Sequence, residues 1–239
     1  MRASIRYRLL LIGFMAWMSF CLLMGGFSAD FNEFIRQTWL VSGAIGMIAC
    51  IGLGNLLFVE NRRSADLIRD YEIQALTDPL TNLPNRRAFD GNLTALIEDE
   101  QKKKKPCNDR SIFLAILDVD HFKPINDTKG HPTGDRVLRF VAQTIYSSIP
   151  DKCVAARLGG DEFGIVFVDV SPDWVAGSLK SIKALIEKDS LQRKDLVPTT
   201  ISVGLTNLNS SDSYDSIYDR VDRALYLAKS EGRNSITFR

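Results

Sequence analysis

Cysteine is scarce in this chain, with only four among 239 residues. Cys21 and Cys50 lie within apolar segments, and Cys107 and Cys153 stand alone without the Cys-x-x-Cys spacing that is typical of a metal site. These positions argue against a disulfide-framed secreted domain and against a structural zinc site. We therefore expect the polar part of the chain to occupy a reducing, cytosolic environment.

Net charge is also nearly absent, because 30 lysines and arginines balance 29 aspartates and glutamates to leave +1. This balance argues against a generally basic nucleic-acid-binding protein. The charge is unevenly distributed, since residues 9–59 contain very little of it and the remainder has the mixed charge of a globular domain. That division excludes a purely soluble protein, a disordered chain and a fibrous one. At roughly 150 residues per domain, the length predicts one domain and an additional segment.

Two uncharged segments, residues 9–27 and 39–59, predict two transmembrane helices. Each has close to the roughly 20 residues that a helix needs to cross about 30 Å of hydrocarbon. The short connector between them has a single basic residue, Arg36, whereas five arginines flank the pair, namely Arg2, Arg6, Arg8, Arg62 and Arg63. The positive-inside bias then places both ends of the chain in the cytoplasm.

The first uncharged segment also resembles a signal peptide, with a basic start and small residues near Ser28 and Ala29. We prefer an uncleaved membrane helix, because the apolar run is long for a signal peptide and Phe27 suits a cleavage site poorly. With either interpretation, the arginines after Val59 keep the rest of the chain inside the cell. Glycines of the second segment either let the two helices approach closely or are simply tolerated in lipid-facing helices; they are Gly43, Gly46, Gly52 and Gly54.

Residues 60–77, which follow the second uncharged segment, are polar and helix-prone. Near-heptad spacing, which would suit a short parallel coiled coil of two helices, is found at Ala65, Ile68, Tyr71 or Glu72, and Ala75 or Leu76. The segment is too short to distinguish a coiled coil from a plain connecting helix. Both interpretations of this linker helix remain open at this point.

Residues 78–239 alternate between helical and strand patterns. Apolar residues at helical spacing predict four helices, near residues 89–97, 138–145, 175–186 and 217–228, the second of them preceded by a turn-rich segment at 126–134. Apolar runs predict strands at residues 111–117, 153–158, 163–170, 199–205 and 236–238. Gly159 and Gly160 join the second and third strands as a hairpin. Since the pattern lacks regular βαβ repetition, the predicted fold class is α+β.

Four acidic residues fall where predicted strands end. Asp118 and Asp120 follow the first strand and share a face because they are two residues apart, while Asp161 and Glu162 lie at the tip of the hairpin. If the hairpin pairs with the first strand, all four carboxylates converge at one end of the sheet. Clustered carboxylates repel one another unless a cation holds them, and hard oxygen ligands favour Mg²⁺ over zinc. Such a site is typical of phosphoryl chemistry.

The same segments resemble the GGDEF domain of diguanylate cyclases. The resemblance is carried by five motifs in order: DPLTNLPNRRAF from Asp78, LDVDHFKPINDTKGHPTGDRVL from Leu117, RLGGDEF from Arg157, TISVGL, and RALYLAKSEGRNSI. It covers nearly all of residues 78–239 and implies a palm-like, ferredoxin-related fold. It also implies a homodimer at the bacterial inner membrane that condenses two GTP molecules into cyclic di-GMP and two pyrophosphates, with Mg²⁺ or Mn²⁺.

The resemblance assigns the chemistry to the acidic residues. Asp118 and Asp161 would ligate the metal, together with the backbone carbonyl of Val119. Glu162 would help to deprotonate the attacking 3′-hydroxyl, with a supporting metal role as the alternative.

Substrate recognition is assigned by the same resemblance. Asn126 and Asp135 would recognise guanine, because a carboxylate can accept hydrogen bonds from N1–H and N2–H₂, which adenine does not offer as a pair. The triphosphate would be held by basic side chains and backbone amides, from Lys123, Lys229, Arg233, His121 and Phe122. The Phe122 ring itself is expected to pack rather than to touch the substrate.

One departure from the family pattern concerns regulation. Many relatives carry an Arg-x-x-Asp motif that binds the product, but here Pro150 and Cys153 stand at the two charged positions. We therefore expect no product-inhibition site at this place.

Two alternative functions stay open. One is a catalytically silent GGDEF domain that binds GTP or cyclic di-GMP and signals by contact. The other is a purine-nucleotide cyclase that completes its reaction within one active site. The connector at residues 28–38 is too short for a folded sensor, so a signal is expected to enter through the bilayer, the helices or an unknown partner protein.

Overall fold

The computed structural model describes Gly13, Trp17, residues 33–102 and residues 111–239. The chain divides into two compact units, with the boundary between Glu72 and Ile73. Apart from Gly13 and Trp17, the first predicted membrane helix at residues 9–27 and the signal-peptide alternative lie outside the described residues.

A single helix, α1 (Glu33–Leu76), is 44 residues long and contains both the second predicted membrane segment and the predicted linker helix. Among the described residues, one stretch is long and apolar enough to cross a membrane: Val41–Ser64, with a mean hydropathy of 1.9 and none of it buried. The predicted span at residues 39–59 and the predicted linker helix at 60–77 are thus parts of one continuous helix. The predicted connector is also helical from Glu33 onward.

Trp17 contacts α1 at two of the four glycines of the span. A Cβ atom at Gly46 would lie 3.0 Å from the edge of the Trp17 ring, and one at Gly43 would lie 3.7 Å from it. No atom lies within 4 Å of the corresponding positions at Gly52 and Gly54. Close approach therefore accounts for Gly46, whereas a side chain at Gly43 would make an ordinary contact and, among the described residues, the other two glycines have free space around them.

The second unit is a five-stranded sheet with helices, in the strand order β2-β3-β1-β4-β5. Its elements are α2 (Arg86–Lys102), β1 (Ile112–Val119), α3 (Phe122–Lys129), α4 (His131–Ser148), β2 (Val154–Gly159), β3 (Glu162–Val168), α5 (Pro172–Gln192), β4 (Ile201–Asn207), α6 (Tyr214–Ser230) and β5 (Ile236–Phe238). Strand β1 is antiparallel to both β3 and β4, whereas β5 is parallel to β4. This mixed arrangement confirms the predicted α+β class.

The central strand β1 is buried along its entire length, which explains why its sequence is a continuous apolar run. Phe113, Ala115 and Leu117 face a core shared with α4 and α5. Leu114 and Ile116 face a second core shared with α2 and α6. The strand is thus fixed on both sides, and its carboxyl end is a rigid support for whatever follows it.

The segment predicted as turn-rich, residues 126–134, is mostly helical. Helix α3 ends at Lys129, Gly130 has a φ of 79°, and α4 begins at His131. The composition was misleading because Asn, Asp, Gly and Pro favour turns, but Pro124 and Pro132 lie in the first turns of these two helices, where proline is well tolerated.

Candidate active site

The hairpin β2–β3 brings its acidic tip to the carboxyl end of β1. Asp118 is paired with Glu162 in the register of β1 and β3. The Val119 amide donates to the Asp161 carbonyl across a distance of 3.2 Å, so the tip is held against the end of β1. The predicted convergence therefore occurs for Asp118, Asp161 and Glu162.

Asp118 is the most buried of these three carboxylates, with 8% of the residue exposed. Its Oδ2 atom lies 2.7 Å from Nζ of Lys229, in the last turn of α6. Burial raises the pKa of the Asp118 carboxyl, the hydrogen bond from Lys229 opposes that shift, and the charges of Asp161 and Glu162 add to it. Negative charge is therefore crowded at this end of the sheet and only partly balanced by Lys229.

Asp120 differs from the other acids, because its carboxylate already accepts three hydrogen bonds. The donors are the hydroxyls of Thr200 and Ser202, at 2.7 and 2.6 Å, and the backbone amide of Asn234, at 3.0 Å. The alternation of side chains along a strand predicted that Asp120 would share the site of Asp118. However, β1 ends at Val119, and Asp120 instead bonds to residues at the start of β4 and after α6. The expected group of four carboxylates is thus reduced to three.

The two guanine-recognition candidates are brought near one another by helices α3 and α4. A Cβ atom at Gly134 would overlap the Asn126 side chain, so the absence of a side chain there lets α4 approach α3. Asp135 directly follows Gly134, and it is half-buried like Asn126. Sequence reasoning missed the part played by Gly134, although its position in the motif GHPTGD was a signal.

The loop between β1 and α3 has an unusual backbone. His121 has a φ of 57° and precedes the first turn of α3, and its side chain is exposed. Phe122 packs against the hydrophobic core, as predicted for its ring. Lys123 is exposed on the first turn of α3. Arg233 is likewise exposed and lies three residues beyond the end of α6. Within the described part of the chain, neither Lys123 nor Arg233 contacts the three carboxylates.

An arginine that sequence reasoning left without a role links the hairpin tip to the start of the domain. All three nitrogens of the Arg157 guanidinium donate hydrogen bonds. Nε and Nη2 donate to the Gly160 carbonyl, at 3.1 and 2.7 Å, and Nη1 donates to both carboxylate oxygens of Asp78, at 3.1 Å. Asp78 also accepts from the amide and hydroxyl of Thr81. The contact joins residues 79 positions apart, so no local pattern announces it.

The position of the expected product-binding motif is also defined. Cys153 is buried in the hydrophobic core, whereas Asp151 and Lys152 are exposed. A buried thiol cannot replace a carboxylate that binds a ligand, so the prediction that this place holds no product site stays in force.

A comparison with protein families identifies the second unit. Residues 75–235 match the model described as the diguanylate cyclase GGDEF domain. The chain belongs to this GGDEF family.

Individual relatives agree with this family. The chain is 32% identical over 227 residues to the probable diguanylate cyclase DgcT of Escherichia coli, covering 92% of this chain and 48% of the relative. It is 33% identical over 190 residues to the uncharacterised membrane protein SSP1970 of Staphylococcus saprophyticus, covering 77% and 51%. The chain therefore spans about half the length of these curated relatives.

A solved structure shares the same fold. It is the coiled coil and GGDEF domain of DgcB from Caulobacter crescentus in complex with cyclic di-GMP, with a TM-score of 0.70 and 36% identity. The match covers 76% of this chain and 95% of that chain. The α+β architecture of residues 73–239 is thus the GGDEF architecture.

The contact between Asp78 and Arg157 leads to a stability prediction for the GGDEF unit. Burial would raise the pKa of Asp78, but the hydrogen bonds from Thr81 and Arg157 outweigh it and lower that pKa. Asp78→Asn is therefore expected to lower the free energy of unfolding at neutral pH by about 2 kcal/mol, since hydrogen bonds to charged groups are lost. Because the folded pKa is depressed, the stabilisation is present above the ordinary value and disappears as the pH falls through the folded value.

The difference in free energy of unfolding between wild type and Asp78→Asn, measured by urea unfolding followed by fluorescence, should shrink as the pH falls from about 5 to about 3. Asp219→Asn is the matched control, because it removes an exposed ion pair with Arg223 in which the side chains are 72% and 70% exposed. That variant should change stability by less than about 0.5 kcal/mol. A constant gap between wild type and Asp78→Asn across this pH range would contradict the assignment.

Proposed function

We propose that the chain is a membrane-anchored diguanylate cyclase that joins two GTP molecules into cyclic di-GMP and releases two pyrophosphates. The observation that carries the proposal is the meeting of Asp118, Asp161 and Glu162 at one end of the sheet, with Lys229 bonded to Asp118. Family membership supports the same chemistry, because relatives bear the name diguanylate cyclase.

The proposed metal is Mg²⁺, with Mn²⁺ as a substitute, and the donor set fits such a hard cation. Among residues 33–102 and 111–239, no three metal-binding side chains form a cluster that could hold an ion by themselves. Mg²⁺ commonly uses one or two carboxylates together with substrate phosphates, which agrees with Asp118, Asp161 and the Val119 carbonyl. Burial raises the pKa of Asp118, and the charges of Asp161 and Glu162 add to that shift, so a cation bound here would relieve the repulsion among the three acids. Bound Mg²⁺ would neutralise charge that develops on the phosphates.

In the proposed reaction, Glu162 accepts the proton from the 3′-hydroxyl of the GTP bound in its own domain. The 3′-oxygen attacks the α-phosphorus of the second GTP, one phosphate ester bond forms, and the bond to pyrophosphate breaks. In a second, equivalent step the 3′-oxygen of the second GTP attacks the α-phosphorus of the first, which closes the ring and releases the second pyrophosphate. Two GGDEF domains must therefore face each other across a two-fold axis, so the proposed active form is a homodimer.

The proposed GTP site has one group of residues for the guanine base and another for the triphosphate. Asn126 and Asp135 would hydrogen-bond the guanine edge, while basic side chains and backbone amides would hold the triphosphate, from Lys123, Lys229, Arg233, His121 and Phe122. Lys229 contacts Asp118, so its ammonium group lies beside the proposed metal ligand.

The proposed location is the bacterial inner membrane, with two spans and a cytoplasmic catalytic domain. The apolar stretch Val41–Ser64 supports one span, and relatives named as membrane proteins support membrane association. The guanidinium of Arg62 lies 4.6 Å from the centre of the Phe58 ring, which suits an anchor at the membrane surface. The first span, at residues 9–27, is proposed from its sequence.

Incubation of the purified chain with GTP and Mg²⁺, followed by identification of the product, tests this function. Cyclic di-GMP and pyrophosphate are the expected products. A cyclic mononucleotide would identify the single-site cyclase instead, and GTP or cyclic di-GMP binding without turnover would identify a catalytically silent signalling domain. Cyclic di-GMP itself is expected to inhibit weakly and competitively, since Pro150 and Cys153 replace the usual product-binding anchors.

Guanine selectivity gives a prediction for Asp135. Asp135→Asn should lower kcat/KM for GTP by about tenfold to a hundredfold, because one charged acceptor is lost and an amide donor is placed against the base N–H groups. The value for ATP should change little, so the GTP/ATP ratio falls. Asp127→Asn is the matched control on the exposed face of α3 and should leave the ratio unchanged. An unaltered ratio in Asp135→Asn would remove Asp135 from the guanine site.

A further inference from the structure

The turn that follows α6 has a strained backbone. Gly232, Arg233 and Asn234 have φ values of 114°, 64° and 46° in succession. Glycine adopts such angles readily, but a side chain at Cβ disfavours them, arginine more than asparagine. Two successive left-handed residues persist only where the surrounding structure holds them.

The backbone of this turn is held by Asp120, which is 4% exposed. Its carboxylate accepts one hydrogen bond from the backbone amide of Asn234, at 3.0 Å, and two more from the hydroxyls of Thr200 and Ser202. Hydrogen bonds that a carboxylate group accepts are shorter and stronger than those between neutral groups. Because Asp120 directly follows the buried strand β1, the turn is fixed to the most rigid part of the domain.

The side chain of Asn234 extends the same network to α5. Its Oδ1 accepts from Nζ of Lys183 at 2.9 Å, and its Nδ2 donates to Oε2 of Glu187 at 3.2 Å. Lys183 and Glu187 are one helical turn apart and lie 3.8 Å from each other. Both polar atoms of the Asn234 side-chain amide therefore have hydrogen-bond partners, which fixes the orientation of the side chain.

A pocket of about 430 Å³ lies beside the network, with Asp120, Glu187 and Thr200 among the residues that line it. The turn itself is held by backbone hydrogen bonds at two successive residues: the Arg233 amide donates to the Ala228 carbonyl of α6 at 3.1 Å, and the Asn234 backbone amide donates to Asp120. Asp120 therefore fixes the end of the turn that α6 does not hold.

We propose that Asp120 and Asn234 are positioning residues for the substrate, which hold the backbone at Arg233 so that its exposed guanidinium is presented to the triphosphate. Lys183 and Glu187 complete this set, which we call the turn brace. A change of φ at Arg233 to an ordinary negative value would redirect its Cα–Cβ bond and carry the guanidinium away. The inference rests on the proposed role of Arg233 in binding GTP, and it adds four residues that act through Arg233.

The test uses the full-length chain in detergent, with calorimetric binding of a non-reactive GTP analogue and separate values of KM and kcat. Asn234→Ala should weaken analogue binding and raise KM by about tenfold, with kcat changed less than about twofold, because the brace acts on binding. Asn234→Gly should return binding to within about threefold of wild type, since glycine takes the left-handed conformation without strain.

Asp169→Ala is the matched control for backbone strain. Asp169 also has a positive φ, 55°, but it follows Val168, which pairs with Ile112 at the opposite end of β1 from Asp118. Its replacement should leave analogue binding and KM unchanged while imposing the same kind of backbone conflict.

A double-mutant comparison decides whether Asn234 acts through Arg233. Arg233→Ala alone should weaken analogue binding, and Asn234→Ala added to it should cause no further loss. A second loss of similar size in the double variant, or unchanged binding in a folded Asn234→Ala chain, would overturn the proposal. If Asn234→Ala does not fold, Lys183→Met replaces it: binding about threefold weaker supports the brace, and unchanged binding overturns it. Wild type that binds the analogue but makes no cyclic di-GMP would refute the proposed activity, while the binding measurements would still test the brace.

Discussion

Glu162→Gln is expected to lower the rate of cyclic di-GMP synthesis by at least about a hundredfold, since general bases contribute factors of this size. Glu162 begins β3 at the tip of the hairpin, directly opposite Asp118 in the strand register. The amide has the shape of the carboxylate but cannot accept the proton of the 3′-hydroxyl. Asp161→Ala should abolish synthesis as well, because it removes one of the two proposed carboxylate ligands of Mg²⁺.

Both residues are half-buried at the end of a hairpin, so neither substitution creates a cavity in the core. The melting temperature should therefore stay close to that of wild type while turnover is lost. Glu98→Gln, which removes an exposed ion pair with Lys102 on α2, is the control and should keep full activity. Turnover near the wild-type rate in Glu162→Gln, at saturating GTP and Mg²⁺, would remove Glu162 from the chemistry.

The part of the site that could be predicted from sequence is the part that follows from strand pattern alone. A continuous apolar run predicted a buried strand, and Gly159–Gly160 between two β-prone runs predicted a hairpin. Once β3 lies beside β1, the distance from Asp118 to Glu162 is fixed by the register, and no side-chain detail is needed. The pairing of Asp118 with Glu162 therefore required only the neighbour relation of two strands.

The parts that sequence could not predict depend on partners far apart in the chain. Asp120 meets Asn234 across 114 positions, and Arg157 meets Asp78 across 79. The alternation rule assigned Asp120 to the face of Asp118, but that rule holds only within a strand and β1 ends at Val119. Which donors meet a carboxylate beyond a strand end is decided by the loops and helices that pack there.

The sequence predicted helix on both sides of residue 60, but it did not predict that the two parts form one helix. Polar residues after an apolar run are equally compatible with a loop, a separate helix or a continued helix, since charged side chains tolerate solvent in all three. Residues 55–76 contain no proline or glycine that would end a helix, and the structure keeps one helix to Leu76. The coiled-coil interpretation of residues 60–77 stays a prediction, because a partner helix is needed to form one.

The second large effect is expected from dimerisation, because each proposed GGDEF site holds one GTP and ring closure needs two. Residues 73–239, which form a compact unit with their own core, should show a specific activity that rises in proportion to enzyme concentration when the unit is mostly monomeric. The full chain, or this unit fused in register to a dimerising coiled coil, should be about a hundredfold more active at the same low concentration. That gain is of the size that linkage of two modules produces through effective concentration.

A fused helix of equal length without an apolar seam is the matched control, because it adds the same mass and no association. It should leave the activity of residues 73–239 unchanged at every dilution. Sedimentation of each sample at the assay concentration relates activity to the fraction of dimer. In the proposed reaction, a 3′-oxygen and the α-phosphorus that it attacks belong to GTP molecules on different protomers, so activity should follow the fraction of dimer. Specific activity that stays constant across dilution, in a sample that sediments as a monomer, would mean that one domain completes both bonds and that the two-fold arrangement is wrong.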